Sequence, residues 1–296
     1  MRIATKPIRP AMAIILLLAV PLLLNASDGS KSRFIAADPS IALHLTFDGN
    51  LLDASNYNNN GSASNQSYTA DHLGTPNAAY LFNGSSNFIV VPNNSTLNPA
   101  QRLTVTLWLR IDNIAGNYMP VFIKGGPVTG YFNDRQYSMH AKQNSNLWYP
   151  QLKSAGDGSG QHECDSDHHS YTVGEWVFFA FVVDRVSHVM QIYANGVLTE
   201  QTADSYSSFN INANPLLIGW TEELEPGHAM LVGAMDDFRL YARALSLSDI
   251  QTLYNGAEPP PPPQVPVASP VGLICLGILF TVSASWLVKR RGMSAV

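Results

Sequence analysis

The sequence predicts an all-β protein: a two-sheet antiparallel sandwich closed by one short helix, with a separate transmembrane helix at the C-terminus. Three observations carry this. Short β-rich runs recur between residues 41 and 256, with turn residues between them. No βαβ alternation occurs, and one helical signal stands out, after the last strand. An apolar stretch from Val271 to Val288 stops at Lys289-Arg290-Arg291, the pattern of a span whose end stays in the cytoplasm.

The N-terminus reads as a signal peptide over residues 1–26. Arg2, Lys6 and Arg9 precede an apolar run from Ala11 to Leu24, and Ala26 offers a small residue for cleavage. The alternative, a transmembrane anchor, needs about 20 apolar residues, and the run is short for that. A leader segment, 27–40, follows.

The folded domain spans 41–256. Ile41 to Phe47 alternates apolar and other residues. Ala79 to Phe82 and Phe88 to Val91 flank a polar turn, which predicts a hairpin. Leu103 to Ile111 sets Leu and Val against Thr104, Thr106, Trp108 and Arg110. Trp176 to Val183 is nearly continuously apolar, as in a strand covered on both faces. Asn195-Gly196 between β-rich runs predicts a type I′ hairpin. The helix is capped by Ser246 with Asp249 at capping-box spacing; Ile250, Leu253 and Tyr254 make its apolar face, and Gly256 closes it.

A Pro-rich linker, 257–266, contains the stiff run Pro259 to Pro263, and a transmembrane sorting or anchor tail occupies 267–296. The 296 residues carry a net charge of −5 and no basic patch in the middle, which excludes nucleic acid as a partner. Charged residues make up 13% of the chain, which suits an extracellular β-protein rich in turns. Cys164 sits in a polar stretch read as a loop and Cys275 in the apolar tail, so a disulfide between them is not expected.

Several blocks in order resemble the laminin-G-like, concanavalin A-like lectin/glucanase domains of bacterial surface proteins. They are Leu45-Thr46-Phe47-Asp48, Ala79 to Gly84 with Phe88 to Pro92, Leu103 to Leu109, Gly174-Glu175-Trp176, Ile192 to Gly196, and Met235 to Tyr241 with Arg243 to Ser246. The resemblance implies a jelly-roll sandwich, first and last strands side by side, and a structural calcium ion as cofactor. The tail resembles exosortase-type sorting signals, which implies a processing enzyme of that type as partner. Here Val-Pro-Val-Ala-Ser-Pro lacks the glutamate of the common Val-Pro-Glu-Pro motif; a permanent single-span anchor is the other reading.

Calcium takes six to eight oxygen ligands. Asp48, at the end of the first strand, and Asp236, on the last, are the candidates, with Asn60 weaker; the alternative is that these side chains cap turns. Asp236 and Asp237 alternate in facing along a strand, so only one is expected on the site's side. Glu163, Asp165 and Asp167 would share one face of an extended strand, which is similar to the Glu-x-Asp-x-Glu strand of glucanases with this fold. With His162, His168 and His169 they offer a transition-metal set, and a solvated loop is the third reading. Tyr131, Trp148, Tyr149 and Trp220, with Phe132, lie in or beside loop-like segments and are candidates for stacking on a sugar; Trp108 and Trp176 are assigned to the core.

The function expected is an exported, envelope-anchored, noncatalytic binding module that contacts extracellular polysaccharide or a surface protein, joined to the membrane through its C-terminal helix. The alternatives are a glycan-degrading enzyme using Glu163, Asp165 or Asp167, and a structural matrix or adhesion protein without a small ligand.

Overall fold

The computed structural model of the protein describes residues 38–125, 135–156, 161–220 and 228–262. The predicted signal peptide, the leader up to residue 37, the linker beyond residue 262, the tail, Tyr131 and Phe132 lie outside the described residues. Among the described residues no helix is long and apolar enough to cross a membrane.

Among the described residues, fifteen strands and one α-helix follow in order. β1 (Ile41–Leu45), β2 (Tyr68–Thr69), β3 (Ala79–Asn83), β4 (Ile89–Val91) and β5 (Arg102–Ile111) come first. β6 (Tyr118–Lys124), β7 (Tyr137–Asn144), β8 (Leu147–Ala155), β9 (Gln161–Asp165) and β10 (Tyr171–Thr172) come next. β11 (Trp176–Asp184), β12 (Val189–Ala194), β13 (Val197–Ala203), β14 (Leu216–Ile218) and β15 (Val232–Tyr241) precede α1 (Leu247–Tyr254). Among the described residues they form two sheets. Sheet A has the order β13-β12-β11-β5-β15-β3-β2, with β1 also on β15. Sheet B has the order β10-β8-β7-β6-β14-β4, with β9 also on β8. The pairings are antiparallel, as the sandwich reading requires.

Side-chain alternation fills the space between the sheets. Leu103, Val105, Leu107, Leu109 and Ile111 of β5 and Val177, Phe179, Phe181 and Val183 of β11 point inward from sheet A. Phe122, Tyr137, Met139, Trp148, Leu152, Leu216 and Ile218 meet them from sheet B. β11 is buried on both faces because Phe178, Ala180 and Val182 pack outward, in a second cluster with Ile250 and Leu253 of α1. The helix forms as its sequence dictates: Ser246 caps it in a capping box with Asp249, and Gly256 follows at φ 76°.

Buried Arg185, just after β11, ties one sheet to the other. Its guanidinium bonds Asp204 at 3.1 Å, Ser154 Oγ at 2.8 Å and the Ala155 carbonyl at 2.9 Å on β8, and it lies over the Phe209 ring. Every one of these groups is satisfied inside, which is the condition under which a buried charge is tolerated.

Two expectations are corrected. The turn after β3 is not a hairpin: β3 belongs to sheet A and β4 to sheet B, so Asn83 to Asn87 carry the chain between sheets. Asn87 holds this corner, its Oδ1 accepting from the Asn83 N–H and its Nδ2 donating to the Leu81 carbonyl. Residues 161–165, read as part of a loop, form β9 beside β8, and Cys164 is fully buried in the core. The polar sequence hid a strand that presents one face to the core through a single cysteine.

Asn195 (φ 49°) and Gly196 (φ 76°) form the left-handed pair that joins β12 to β13. Gly233 is needed for a different reason: a Cβ there would stand 2.0 Å from the Arg110 carbonyl oxygen of β5. Gly196→Ala should lower unfolding free energy by about 1 kcal/mol. Gly233→Ala should cost about 3 kcal/mol, because the backbone of β5 has to move. Urea denaturation of both variants checks the order; equal midpoints would contradict it.

Candidate functional site

Sheet B presents an outer face of a kind the core does not explain. On β7, Ser138, His140 and Lys142 alternate with the inward Tyr137, Met139 and Ala141. On β8, Tyr149, Gln151 and Lys153 lie opposite Lys142, His140 and Ser138 respectively. On β9, Glu163 and Asp165 continue the rows opposite Lys153 and Gln151. Tyr118 of β6 faces Lys142 from the other side.

The base of this face is polar and buried. His140 is 1% exposed, and among the described residues neither ring nitrogen has a hydrogen-bond partner; Ser138 Oγ and Gln151 Oε1 are likewise buried without one. Burial pushes the His140 pKa well below its ordinary value, and the positive charges of Arg135, Lys153, His228 and Lys142 add to the effect. Its ring is held neutral, so one nitrogen accepts and the other donates.

The rim is amphipathic. The Lys142 ammonium lies 5.5 Å from the centre of the Tyr118 ring and 5.1 Å from that of Tyr149, and it bonds Asp165 at 2.9 Å. Lys153 pairs with Glu163 at 2.7 Å, and Gln151 Nε2 donates to Glu163 at 3.1 Å. His228 stacks beside Tyr118, ring centres 5.2 Å apart. Half-buried tyrosine rings beside fixed amides, carboxylates and ammonium groups match what a sugar offers: an apolar face and a ring of hydroxyls.

Of the predicted stacking residues, Tyr149 lies in this face. Trp148 is corrected: strand parity sends it inward, where it is fully buried against Phe179 and Tyr171. Trp220, after β14, is half-buried and has one face taken by Phe88, 4.4 Å away. Glu163 and Asp165 share an outer face as the spacing predicts, but Asp167 lies beyond β9, exposed beside His168. His162 turns to Asp204 at 2.9 Å, and among the described residues the 162–169 histidines and carboxylates do not converge on a common metal position. His140, Gln151 and Lys142 were missed; the alternation Ser138-x-His140-x-Lys142 was the available signal, unreadable without knowing which face of β7 met the core.

The outer face of sheet A holds Asp236. Asp236 lies directly opposite Trp108 on β5, and its Oδ2 bonds His72 Nδ1 at 2.7 Å. His72 also lies flat on Trp108, ring centres 4.0 Å apart and planes 9° apart. Trp108 is therefore not in the inter-sheet core: it joins the outer cluster with Phe178 and Tyr254. Trp176, also outside that core, is half-buried beneath the Arg110 guanidinium.

A bulge alters the expected facing of the aspartates. Asp237 (φ 52°) and Phe238 together oppose Leu107, so the ladder shifts between Asp236 and Arg239. Both carboxylates consequently stay outside the core, in contrast to strict alternation. Burial raises the Asp236 pKa, the charges of Asp237 and Asp71 adding to it and His72 opposing. Burial acts on Asp237 in the same direction, but His44 at 2.7 Å and Arg239 at 3.0 Å outweigh it and hold that carboxyl below its ordinary value.

The donors around Asp236 do not fit the calcium cage that the resemblance implies. Phe47 and Gly49, at φ 61° and 68°, turn the chain off the ladder on either side of Asp48, whose carboxylate is exposed. Asn60 Oδ1 accepts from the Asp53 N–H, and Asp53 itself accepts from His44, Ser55 and Asn59, so this loop is built of turn-capping bonds. Among the described residues, the His, Cys, Asp and Glu side chains that share a cluster with Asp236 are Asp71 and His72, and the imidazole nitrogen is a poor ligand for calcium.

The Laminin_G_3 family model, described as concanavalin A-like lectin/glucanases superfamily, matches residues 83–251. No curated protein sequence matches the chain significantly. Among solved structures, domain 4 of AbnA, a GH43 extracellular arabinanase from Geobacillus stearothermophilus, in complex with arabinotriose, is similar at TM-score 0.56 and 20% identity over 73% of this chain and 98% of that one. The ligand binding domain of botulinum neurotoxin serotype D, in complex with N-acetylneuraminic acid, is similar at TM-score 0.58 and 16% identity over 74% of this chain. The binding domain of botulinum neurotoxin DC, in complex with rat synaptotagmin II, is similar at TM-score 0.55 and 17% identity over 75%. This chain spans 52% of each toxin domain's length.

The neutral, buried His140 makes stability acid-sensitive. Its folded pKa lies below the unfolded value near 6.5, so as pH falls through 6.5 the unfolded chain takes up the proton first and stability drops, by up to about 1.4 kcal/mol per pH unit. His140→Leu should flatten that decline between pH 6.5 and pH 5 in denaturant titrations. An unchanged slope would mean other groups govern it.

Proposed function

The chain belongs to the concanavalin A-like lectin/glucanases superfamily, and we propose that it is a noncatalytic binding module that takes extracellular polysaccharide on the outer face of sheet B. The observation that carries this reading is the pairing of Tyr118 and Tyr149 around Lys142 above the buried Ser138 Oγ, His140 ring nitrogens and Gln151 Oε1, which have no hydrogen-bond partner among the described residues. The tyrosine rings suit the apolar face of a pyranose or furanose, and the amide and imidazole suit its hydroxyls. That solved structures of the same fold carry arabinotriose and N-acetylneuraminic acid supports a sugar over other small ligands.

The carboxylates favour binding over hydrolysis. Glu163 and Asp165 are each matched to a lysine within 3 Å. A retaining or inverting glycosidase needs one carboxyl kept protonated as acid, and a lysine beside each acts against that. The proposal includes export and residence at the cell envelope, on the pattern of leader, Pro-rich linker and basic-ended tail.

Glycan-array screening of the full chain should show retention of a polysaccharide without release of reducing sugar. Tyr149→Ala should weaken that binding roughly fivefold, the loss of about 1 kcal/mol of stacking, as read by calorimetry. Hydrolysis of a soluble glucan that Glu163→Gln abolishes would replace this reading with the enzymatic one. Flat binding curves across the array would sink both.

A further inference from the structure

We propose that Asp71, His72 and Asp236 form a binding site for a divalent transition-metal ion of the zinc class on the outer face of sheet A, on the opposite side of the core from the saccharide face. The ligand atoms of the three residues all lie within 4.8 Å of one another, close enough for one ion to reach each. They come from separate parts of the chain. Asp71 and His72 lie in the turn between β2 and β3, and Asp236 lies on β15, so the fold assembles the cluster.

The donor set selects the ion. One imidazole with two carboxylates is a mixed nitrogen and oxygen set, suited to zinc, cobalt or nickel and not to calcium. Three protein ligands are also the complement of an open zinc site, which keeps a fourth position for water or an exogenous ligand.

The groups are held in place by neighbours, as metal ligands are. His72 is fixed by its flat contact with Trp108, and Trp108 is opposite Asp236 in the β5–β15 ladder. Asp71 Oδ1 accepts from the N–H groups of Leu73 and Thr75, which anchors that side chain.

Burial and charge at Asp236 add to this geometry. The Asp236 side chain is 7% exposed, and the carboxylates of Asp71 and Asp237 lie near enough to act on it. The cation of this corner, Arg239, is committed elsewhere: to Asp237 at 3.0 Å and to Glu258 at 2.8 Å. His44 also serves Asp237. Asp236 is left with an imidazole, which carries charge only when protonated. A carboxylate this buried is costly to keep ionised, and a divalent ion lowers that cost.

The test uses the full chain, purified in mild detergent and stripped with a chelator. Zinc should raise the melting temperature, cobalt(II) should give visible absorption at one equivalent, and calcium at the same concentration should do neither. Asp71→Asn keeps the turn acceptor and removes the charge; it should melt as the wild type without metal and bind zinc at least tenfold more weakly. His72→Ala should abolish the cobalt absorption, whereas a His168→Ala, His169→Ala double variant should leave it intact. The proposal fails if zinc binds no tighter than calcium. It also fails if Asp71→Asn and His72→Ala take up metal as the wild type does. Saccharide binding by His72→Ala, which the proposal leaves unchanged, separates its failure from that of the sheet B reading.

Discussion

The register of β15 is the constraint on which the rest of the molecule depends. This strand pairs with β5 along both its halves, with β3 through its first half and with β1 through its second. A shift by one residue in such a strand exchanges its two faces. Continued without interruption, alternation after Met235 and Asp236 would turn Asp237 into the core and Phe238 to solvent. The bulge prevents this. A left-handed non-glycine residue costs roughly 1–2 kcal/mol. Leaving an ionised carboxylate among Phe122, Leu107 and Leu45 would cost several. The smaller cost wins, Phe238 and Leu240 return to the core, and two carboxylates stand together outside it.

That choice sets the chemistry of the whole corner. Asp237 recruits His44 from β1 and Arg239 from its own strand, which fastens the first strand to the last. Glu258 then meets Arg239, so the chain leaving α1 is held at the same point. The other aspartate is left facing the turn after β2. A single extra residue in one strand therefore both closes the sandwich and creates an unbalanced carboxylate beside it.

The sequence carried the sandwich legibly wherever local chemistry determined geometry. Asn195-Gly196 could form little besides a tight hairpin, and Ser246 with Asp249 could do little besides start a helix. The long strands β5 and β11 declared themselves by alternation or by continuous apolarity. What stayed hidden depended on partners distant in sequence. Asn83 to Asn87 look like a hairpin turn, because nothing local says that the next strand joins the other sheet. Trp148 and Tyr149 are adjacent and chemically alike, yet one lies in the core and the other on the outer face of sheet B. Only the register of β8 against β7 distinguishes them. The cluster of His72 with Asp236 was beyond reach for the same reason, as 164 residues separate them. The Asp237 bulge was unreadable because strand periodicity assumes no interruption.

The two outer faces are insulated from each other by the core. Stacked sheets lie about 10 Å apart, and the space between them is filled here by aromatic and aliphatic side chains such as Phe122, Phe181 and Phe238, which meet edge to face. No hydrogen-bonded chain of polar groups needs to cross that layer. At the end near Arg185 the sheets are joined instead by a buried ion pair whose partners are all internal. Sheet A can therefore carry the helix, the clamp on the first strand and the His72 cluster. Sheet B can vary Ser138, His140, Lys142, Tyr149 and Gln151 without disturbing them. Outward residues of a strand contribute little to the core that fixes their backbone, so this face is free to be polar. The stability lost by burying His140 with no hydrogen-bond partner among the described residues, about 1–3 kcal/mol, is borne by the core between the sheets. The same desolvation makes a hydroxyl that reaches the imidazole worth more there than it would be in water, and this is the physical reason to look for the ligand on sheet B.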